Sequence, residues 1–353
     1  MTLFTPLRLR EIEFRNRIGV SPMCQYSAKD GHPGTWHLVH LGSRAVGGAA
    51  LVMTEASAVQ EVGRISPADA GMYLDAHVDS WRPIVEFLRE QGAVPGMQLA
   101  HAGRKGSTAA AWLGGGGPLS QDQGGWTPVS STDVPFDVAH PVPRALVHGD
   151  LEQLVADFQQ ATRRAVAAGF QFVEIHAAHG YLLHQFYSPL SNDRKDDYGG
   201  SFENRIRLLL RVTQAVRETL PQTLPLLVRI SATDWKEGGW DLQQSIELCR
   251  RLKALGVDLV DVSSGGILPG IKIPTGPGYQ VSLAEAIRRQ AGVATAAVGM
   301  ITDPAQAQFI IANGQADMVF LAREMLRDPY WPRRAAAALQ AKIKPPLQYE
   351  RAW

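Results

Sequence analysis

Cysteine is scarce in this 353-residue chain: only Cys24 and Cys249 are present. Two thiols cannot staple a disulfide scaffold and are too few for a four-cysteine iron-sulfur cluster, so a reducing, cytoplasmic setting is expected. Long apolar runs are missing as well. None approaches the roughly 18 residues of a membrane span, and Arg8, Arg10, Glu11, Glu13, Arg15 and Arg17 occupy the stretch where a secretory signal would need continuous apolar residues. Nor is there a surplus of either charge. A formal net charge of +1 leaves no basic excess to neutralise phosphodiesters, so neither nucleic acid nor membrane is expected as a partner. A Gly-x-Gly-x-x-Gly fingerprint between strand and helix is absent, which excludes a Rossmann dinucleotide site. HxH and HExxH zinc patterns are absent too.

What the chain does contain is an alternation of short apolar runs with amphipathic stretches. Residues 18–22, 50–54, 95–99, 170–175, 226–230, 257–262, 295–299 and 317–321 read as strands. Between them, Asp150 with Gln153 opens a helix striped by Leu151, Leu154, Val155, Phe158, Ala161 and Ala165 and stopped by Gly169. Further helices follow Ser201, Asp241 and Asp303, closing before Pro221, Gly256 and Gly314. About eight β/α units predict a single (β/α)8 TIM barrel over 1–353; an open doubly wound sheet is the alternative that alternation alone allows. Residues 103–149, rich in Gly, Pro, Ser and Thr and including Gly114 to Gly117, break the repeat. They read as an insertion after strand three, a hairpin or lid over the top of the barrel.

In such a barrel the chemistry sits where strands end. Those positions hold Ser21, Cys24, Gln98, His101, His176, His179, Arg229, Gly299 and Arg323. The segment His176-Ala-Ala-His179-Gly-Tyr181 gathers two imidazoles and a phenol at one strand end, followed by a long polar loop, as one wall of an active site would. Arg229 interrupts an apolar strand and cannot discharge, so it requires an anionic partner: either a ligand or an internal carboxylate, Asp258 or Asp261. Gly299 and Arg323, at the ends of strands seven and eight, lie where this fold commonly holds a phosphate. His176 and His179 have two other readings, as metal ligands or as structural residues. Cys24 is either a reactive thiol or a small buried hydrophobe; Cys249 lies on the apolar stripe of its helix with Leu242, Ile246 and Leu252 and reads as core.

Taken in order, Asn16-Arg17-Ile18, Ser21-Pro22-Met23-Cys24-Gln25-Tyr26, Thr54-Glu55-Ala56, Gln98-Leu-Ala-His101-Ala-Gly-Arg-Lys105, His176 to Tyr181, Asp197 to Arg205, Arg229, Gly299, Arg323 and Gln348-Tyr-Glu-Arg351 resemble the old yellow enzyme family of FMN-dependent ene-reductases. The similar branch is that of xenobiotic reductases and thermophilic-like members. The resemblance spans nearly the whole chain. It implies a non-covalent FMN lined by Ser21, Pro22, Met23, Cys24, Ala56 and Gln98, with Arg229 at the N1 and C2-carbonyl edge and the phosphate held by Gly299, Ala322 and Arg323. It also implies that His176 and His179 grip the substrate oxygen, that Tyr181 donates a proton, that Cys24 tunes the flavin and that Tyr26 contacts substrate, with Lys105 nearby. NADPH or NADH would deliver hydride in a ping-pong cycle to enones and related electron-poor alkenes, nitro compounds included. Arg351, in the tail 341–353, would reach a neighbouring subunit's site, implying a homodimer or homotetramer. Two other readings of the residues are a barrel metallohydrolase using the His176/His179 pair and a flavin-binding protein without turnover.

Overall fold

The computed structural model describes residues 1–113 and 115–352; Gly114 of the glycine run and Trp353 of the tail lie outside the described residues. Eight parallel strands close into a barrel: β1 (Ile18–Val20), β2 (Leu51–Ala58), β3 (Val94–Ala100), β4 (Phe172–Ala177), β5 (Leu226–Ser231), β6 (Leu259–Ser263), β7 (Ala294–Val298) and β8 (Met318–Leu321). β8 pairs with β1, and closure removes the edge that an open doubly wound sheet would leave.

The interior of the barrel is filled by matched large and small residues. A Cβ on Gly96 would lie 1.8 Å from Phe172, and one on Gly19 would lie 2.5 Å from Phe320, so these two glycines make room for the rings that plug the lower half. Even a methyl group there would overpack the core at a cost of about 1–3 kcal/mol. Phe14 and Phe172 meet edge to face at 6.2 Å. Phe14 comes from an antiparallel hairpin, Leu7–Leu9 with Ile12–Phe14, that closes the bottom of the barrel.

The main helices are α1 (Thr35–Val46), α2 (Ala76–Glu90), α3 (His148–Ala167), α4 (Phe202–Thr219), α5 (Leu242–Ala254), α6 (Val281–Ala291), α7 (Pro304–Ala312) and α8 (Trp331–Ala338). Three caps fall where the side-chain chemistry requires them. Ser201 Oγ accepts from the Asn204 N–H at 3.3 Å, Asp241 from Gln244 at 2.9 Å, and Asp303 from Ala305 and Gln306 at 2.8 and 3.0 Å. α3 begins earlier than its pattern suggested, because Asp150 is not the cap. Its carboxylate lies inside the first turn and reaches back to the Val147 N–H at 2.9 Å. Cys249 is fully buried on α5, as its stripe predicted.

Candidate active site

Two features of the backbone shape the end of β4. His179 has φ +58° and Gly180 φ +75°, so the chain turns sharply after Ala177. A side chain at Gly180 would sit 2.1 Å from the Gly266 carbonyl oxygen. The turn is held from behind by His184, whose Nδ1 accepts from the Gly180 N–H at 2.9 Å and whose Nε2 meets Asp234 Oδ1 at 2.9 Å, both side chains fully buried. Asp234 also accepts from Ser188 Oγ and the Trp240 N–H. Burial alone would raise its carboxyl, but His184 and these donors hold it below the usual carboxylate range.

The turn brings three of the candidate side chains together. The His176 ring lies 5.3 Å from His179 and 4.9 Å from Tyr181, edge to face in both cases. His176 Nδ1 accepts from the Ala178 N–H at 3.2 Å, which leaves Nε2 to carry the proton. His179 Nε2 lies 2.7 Å from Ser263 Oγ; the ring nitrogen without a protein contact is Nδ1. Burial first, and Arg229 next, push both imidazoles well below their ordinary values, so both rings are neutral hydrogen-bonding groups. Burial, then Cys24, Tyr26 and Asp69, push the Tyr181 phenol up and keep its proton on.

Lys105 braces this wall. Its Nζ donates to the His179 carbonyl at 2.8 Å and to Gly266 at 3.2 Å, and lies 5.1 Å from the centre of the Tyr181 ring. Burial and Arg104 lower its pKa to about 8. His101, which the strand-end rule also selected, is a turn residue here: Nδ1 accepts from the Gly103 N–H and Nε2 meets Gln60.

On the opposite side of the mouth, Ser21 to Tyr26 leave β1. Ser21 Oγ is buried with no hydrogen-bond partner. The Cys24 thiol interacts with the Tyr26 hydroxyl and the Ala56 backbone; burial, Asp69 and Glu55 push it well up, so it is a thiol and not a thiolate. Ala56 pairs in register with Gln98 across β2 and β3, next to a bulge at Thr54 and Glu55 that lengthens β2 beyond the predicted strand. Tyr26 packs edge to face on Trp112 of the 103–149 segment at 5.7 Å, and Lys105 of the same segment reaches the His179 and Gly266 carbonyls. The insertion therefore folds against the barrel mouth.

Arg229 finds an internal carboxylate, and it is Asp261: Nε lies 2.9 Å from Oδ2. Asp258 serves elsewhere, with Arg10 at 2.7 Å. Arg229 also faces a cavity of about 350 Å³ that runs to Gly299, Ala322 and Arg323, the size of a small-cofactor site. One cavity thus joins the strand-five cation to the phosphate-type ends of β7 and β8. Gly299 has φ +118°, and a Cβ on it would lie 2.8 Å from Tyr279 and Gln280. Only glycine keeps that backbone open to a ligand. This cavity, the bare Gly299 backbone and the unpartnered Ser21 hydroxyl fit a ring-plus-phosphate group such as FMN.

Arg351 is not brought to this cluster. It is exposed on a short turn, Leu347–Ala352. The tail leading to it runs beside Arg15, Val46 and Gln91 near the N-terminal ends of the strands. The zinc alternative lacks its ligands: among the described residues no group of three His, Cys, Asp or Glu side chains is placed to hold a metal ion.

Ser231, Ser263, His184, Asp234 and Glu174 support this site and were not picked out from the sequence. Glu174 had a readable signal, since it interrupts an apolar strand as Arg229 does. The others are set by contacts across strands.

The family model of the NADH:flavin oxidoreductase / NADH oxidase family matches residues 2–342. The NADPH dehydrogenase of Geobacillus thermodenitrificans is 46% identical, covering 99% of this chain and 98% of the relative; that of Bacillus subtilis is 44% identical, covering 99% of both. Among solved structures, a morphinone reductase mutant in complex with tetrahydroNAD has a TM-score of 0.80 at 27% identity, covering 99% of this chain and 94% of that one. Residue motifs, closed barrel and relatives therefore agree: the chain belongs to the NADH:flavin oxidoreductase / NADH oxidase family, the old yellow enzymes, and is an NAD(P)H-dependent flavin oxidoreductase with FMN as its cofactor.

Proposed function

We propose that this enzyme reduces the activated C=C bond of α,β-unsaturated carbonyl and nitro compounds, taking turns between NAD(P)H and substrate on one face of the ring. The observation that carries this reading is the cluster of two neutral imidazoles and a protonated phenol at the end of β4, linked to the Arg229 cavity through Ser263, which lines that cavity and meets His179 Nε2 at 2.7 Å. Ser21, Pro22, Met23, Cys24, Ala56 and Gln98 would line FMN, Arg229 would face its N1 and C2-carbonyl edge, and Gly299, Ala322 and Arg323 would hold its phosphate. When bound, FMN supplies the hydride chemistry between NAD(P)H and the alkene.

The protein residues do the rest. His176 Nε2–H, and His179 Nδ1–H when Ser263 donates to Nε2, would together grip the substrate oxygen. Two neutral donors stabilise negative charge as it develops there without attracting anions beforehand. Tyr181 would then pass its proton to the α-carbon. Burial of the cluster keeps competing water from that carbon. Tyr26 contacts the substrate beside Trp112, residues 103–149 act as a lid, and Arg351 completes the site of a neighbouring subunit in a homodimer or homotetramer.

Purified protein reconstituted with FMN should be yellow, bleach anaerobically with NADPH and regain colour with cyclohexenone. Failure to bleach would remove the NADPH half of the cycle; bleaching without reoxidation by any enone would leave a flavin carrier without turnover.

A further inference from the structure

The barrel interior changes character one layer below the mouth. Its lower half is apolar, with Phe172, Leu227, Leu259 and Met318 all buried. Above them three ionisable side chains meet inside the ring of strands: Glu174 on β4, Arg229 on β5 and Asp261 on β6. Glu174 and Asp261 are fully buried and Arg229 is 6% exposed. Strand register pairs Gln98 with Glu174, and Arg229 with Asp261. Gln98 Nε2 donates to Glu174 Oε1 at 2.8 Å, and Arg229 Nε faces Asp261 Oδ2 at 2.9 Å. Glu174 Oε2, both carboxylate oxygens of Asp261 and Arg229 Nε have no hydrogen-bond partner, so the Arg229–Asp261 contact is an ion pair without an aligned hydrogen bond.

Were both carboxyls ionised, this layer would hold two negative charges against one positive, with three carboxylate oxygens lacking a hydrogen-bond donor. Such an imbalance is costly in a barrel interior. The other titratable neighbours do not correct it. His176, on the same strand as Glu174, and His179 are neutral, and Tyr279, near Arg229, keeps its proton. Lys105 lies above, committed to the His179 and Gly266 carbonyls.

We propose that Glu174 and Asp261 are a proton-sharing pair, with one proton held on Glu174, and that Asp261 takes up a second when negative charge is placed against Arg229. Burial raises both carboxyls, and each is electrostatically tied to Arg229. The second half rests on the flavin reading above. Reduction by hydride brings a negative charge to the edge of Arg229; the compensating proton comes from solvent and ends as an O–H on Asp261, with no other bond made or broken. The pair would make the redox equilibrium of this barrel depend on pH more steeply than the ring alone requires.

Two measurements separate the parts. In the ligand-free chain at neutral pH, the infrared difference between the native protein and Glu174→Gln should show loss of a carboxylic-acid carbonyl band. Glutamine mimics the protonated acid, so this variant should unfold at or above the native temperature. An absent band, or a strongly destabilised Glu174→Gln, means that Glu174 is ionised and overturns the proposal. In the FMN-loaded protein, a redox titration between about pH 6 and 8 should show up to one more proton taken up per two electrons in the native protein than in Asp261→Asn. Equal uptake overturns the second half. A protein that does not bind FMN would refute the flavin reading, while the infrared result still decides the carboxyl pair.

Discussion

Tyr181 is useful because its surroundings forbid it to ionise. Burial and the nearby Cys24, Tyr26 and Asp69 raise its phenol, so it holds a proton throughout the neutral range, and in the proposed role it would release it only to a stronger base, such as a developing carbanion. Tyr181→Phe should therefore leave reduction by NADPH within about threefold of native and slow the enone half-reaction by about 10²–10⁴-fold, the usual worth of a general acid. Stopped-flow measurement of the two halves reads this directly; equal losses in both would reassign Tyr181 to structure. Gly299 answers for the other end of the cavity. At φ +118°, with Tyr279 and Gln280 2.8 Å from any Cβ, Gly299→Val should weaken FMN binding about 5- to 150-fold, the equivalent of about 1–3 kcal/mol of local strain. Fluorescence titration of the ligand-free chain with FMN checks it.

At the scale of elements, the turn after β4 depends on a pair of residues that never touch a ligand. Asp234 keeps its charge because His184 faces it, and the same imidazole receives the Gly180 N–H. His184→Phe would strand that buried carboxylate and leave the amide unpaired, so it should lower stability by about 3–5 kcal/mol in denaturant unfolding. The double variant with Asp234→Asn, which removes the charge, should regain part of the loss. This support was hidden in the sequence because it joins positions fifty residues apart. What was legible is local: apolar strands such as Leu226 to Ile230, caps at Ser201, Asp241 and Asp303, and the glycines that end helices. The 7–14 hairpin escaped notice because each arm has only three residues, too short for a period-2 pattern to show. Asp150 looked like a cap because a capping box puts an acid near the helix start from either side of the boundary. Arg229 was legible as a buried charge, but the choice between Asp258 and Asp261 required the strand register.

For the whole molecule, the buried ionisable groups set the pH range in which the fold is stable. His40 and His101 are lowered to about 3, chiefly by burial, and His176 and His179 are well below their ordinary values. All four are neutral in the fold and protonate near pH 6.5 once unfolded. Their stabilisation is complete above pH 6.5 and is lost as pH falls toward 3, by up to about 1.4 kcal/mol per unit for each group. Asp69, raised to about 7 mainly by burial, and Glu174 and Asp261, also raised, act in the opposite sense. Each is protonated in the fold where the unfolded chain is ionised, so its stabilisation is present below about pH 4 and is lost as pH climbs through the folded value. Between roughly pH 4.5 and 6.5 the two sets oppose each other, and the histidines, with His77 also lowered to about 4, outnumber the carboxyls. Below pH 4 only the histidines act, joined by the depressed carboxyls of Asp150, Asp196 and Asp234; above 6.5 only the raised carboxyls remain. The ligand-free chain should thus show a steep acid limb below about pH 4, a gentler rise to about pH 6.5 and a shallow decline toward pH 8 when unfolding temperature is followed against pH. Asp69→Asn removes one titrating group from the alkaline limb and should flatten it even where the loss of an acceptor for the Ile65 N–H lowers the whole curve. An unchanged slope from pH 6.5 to 8 would show that Asp69 is ionised in the fold.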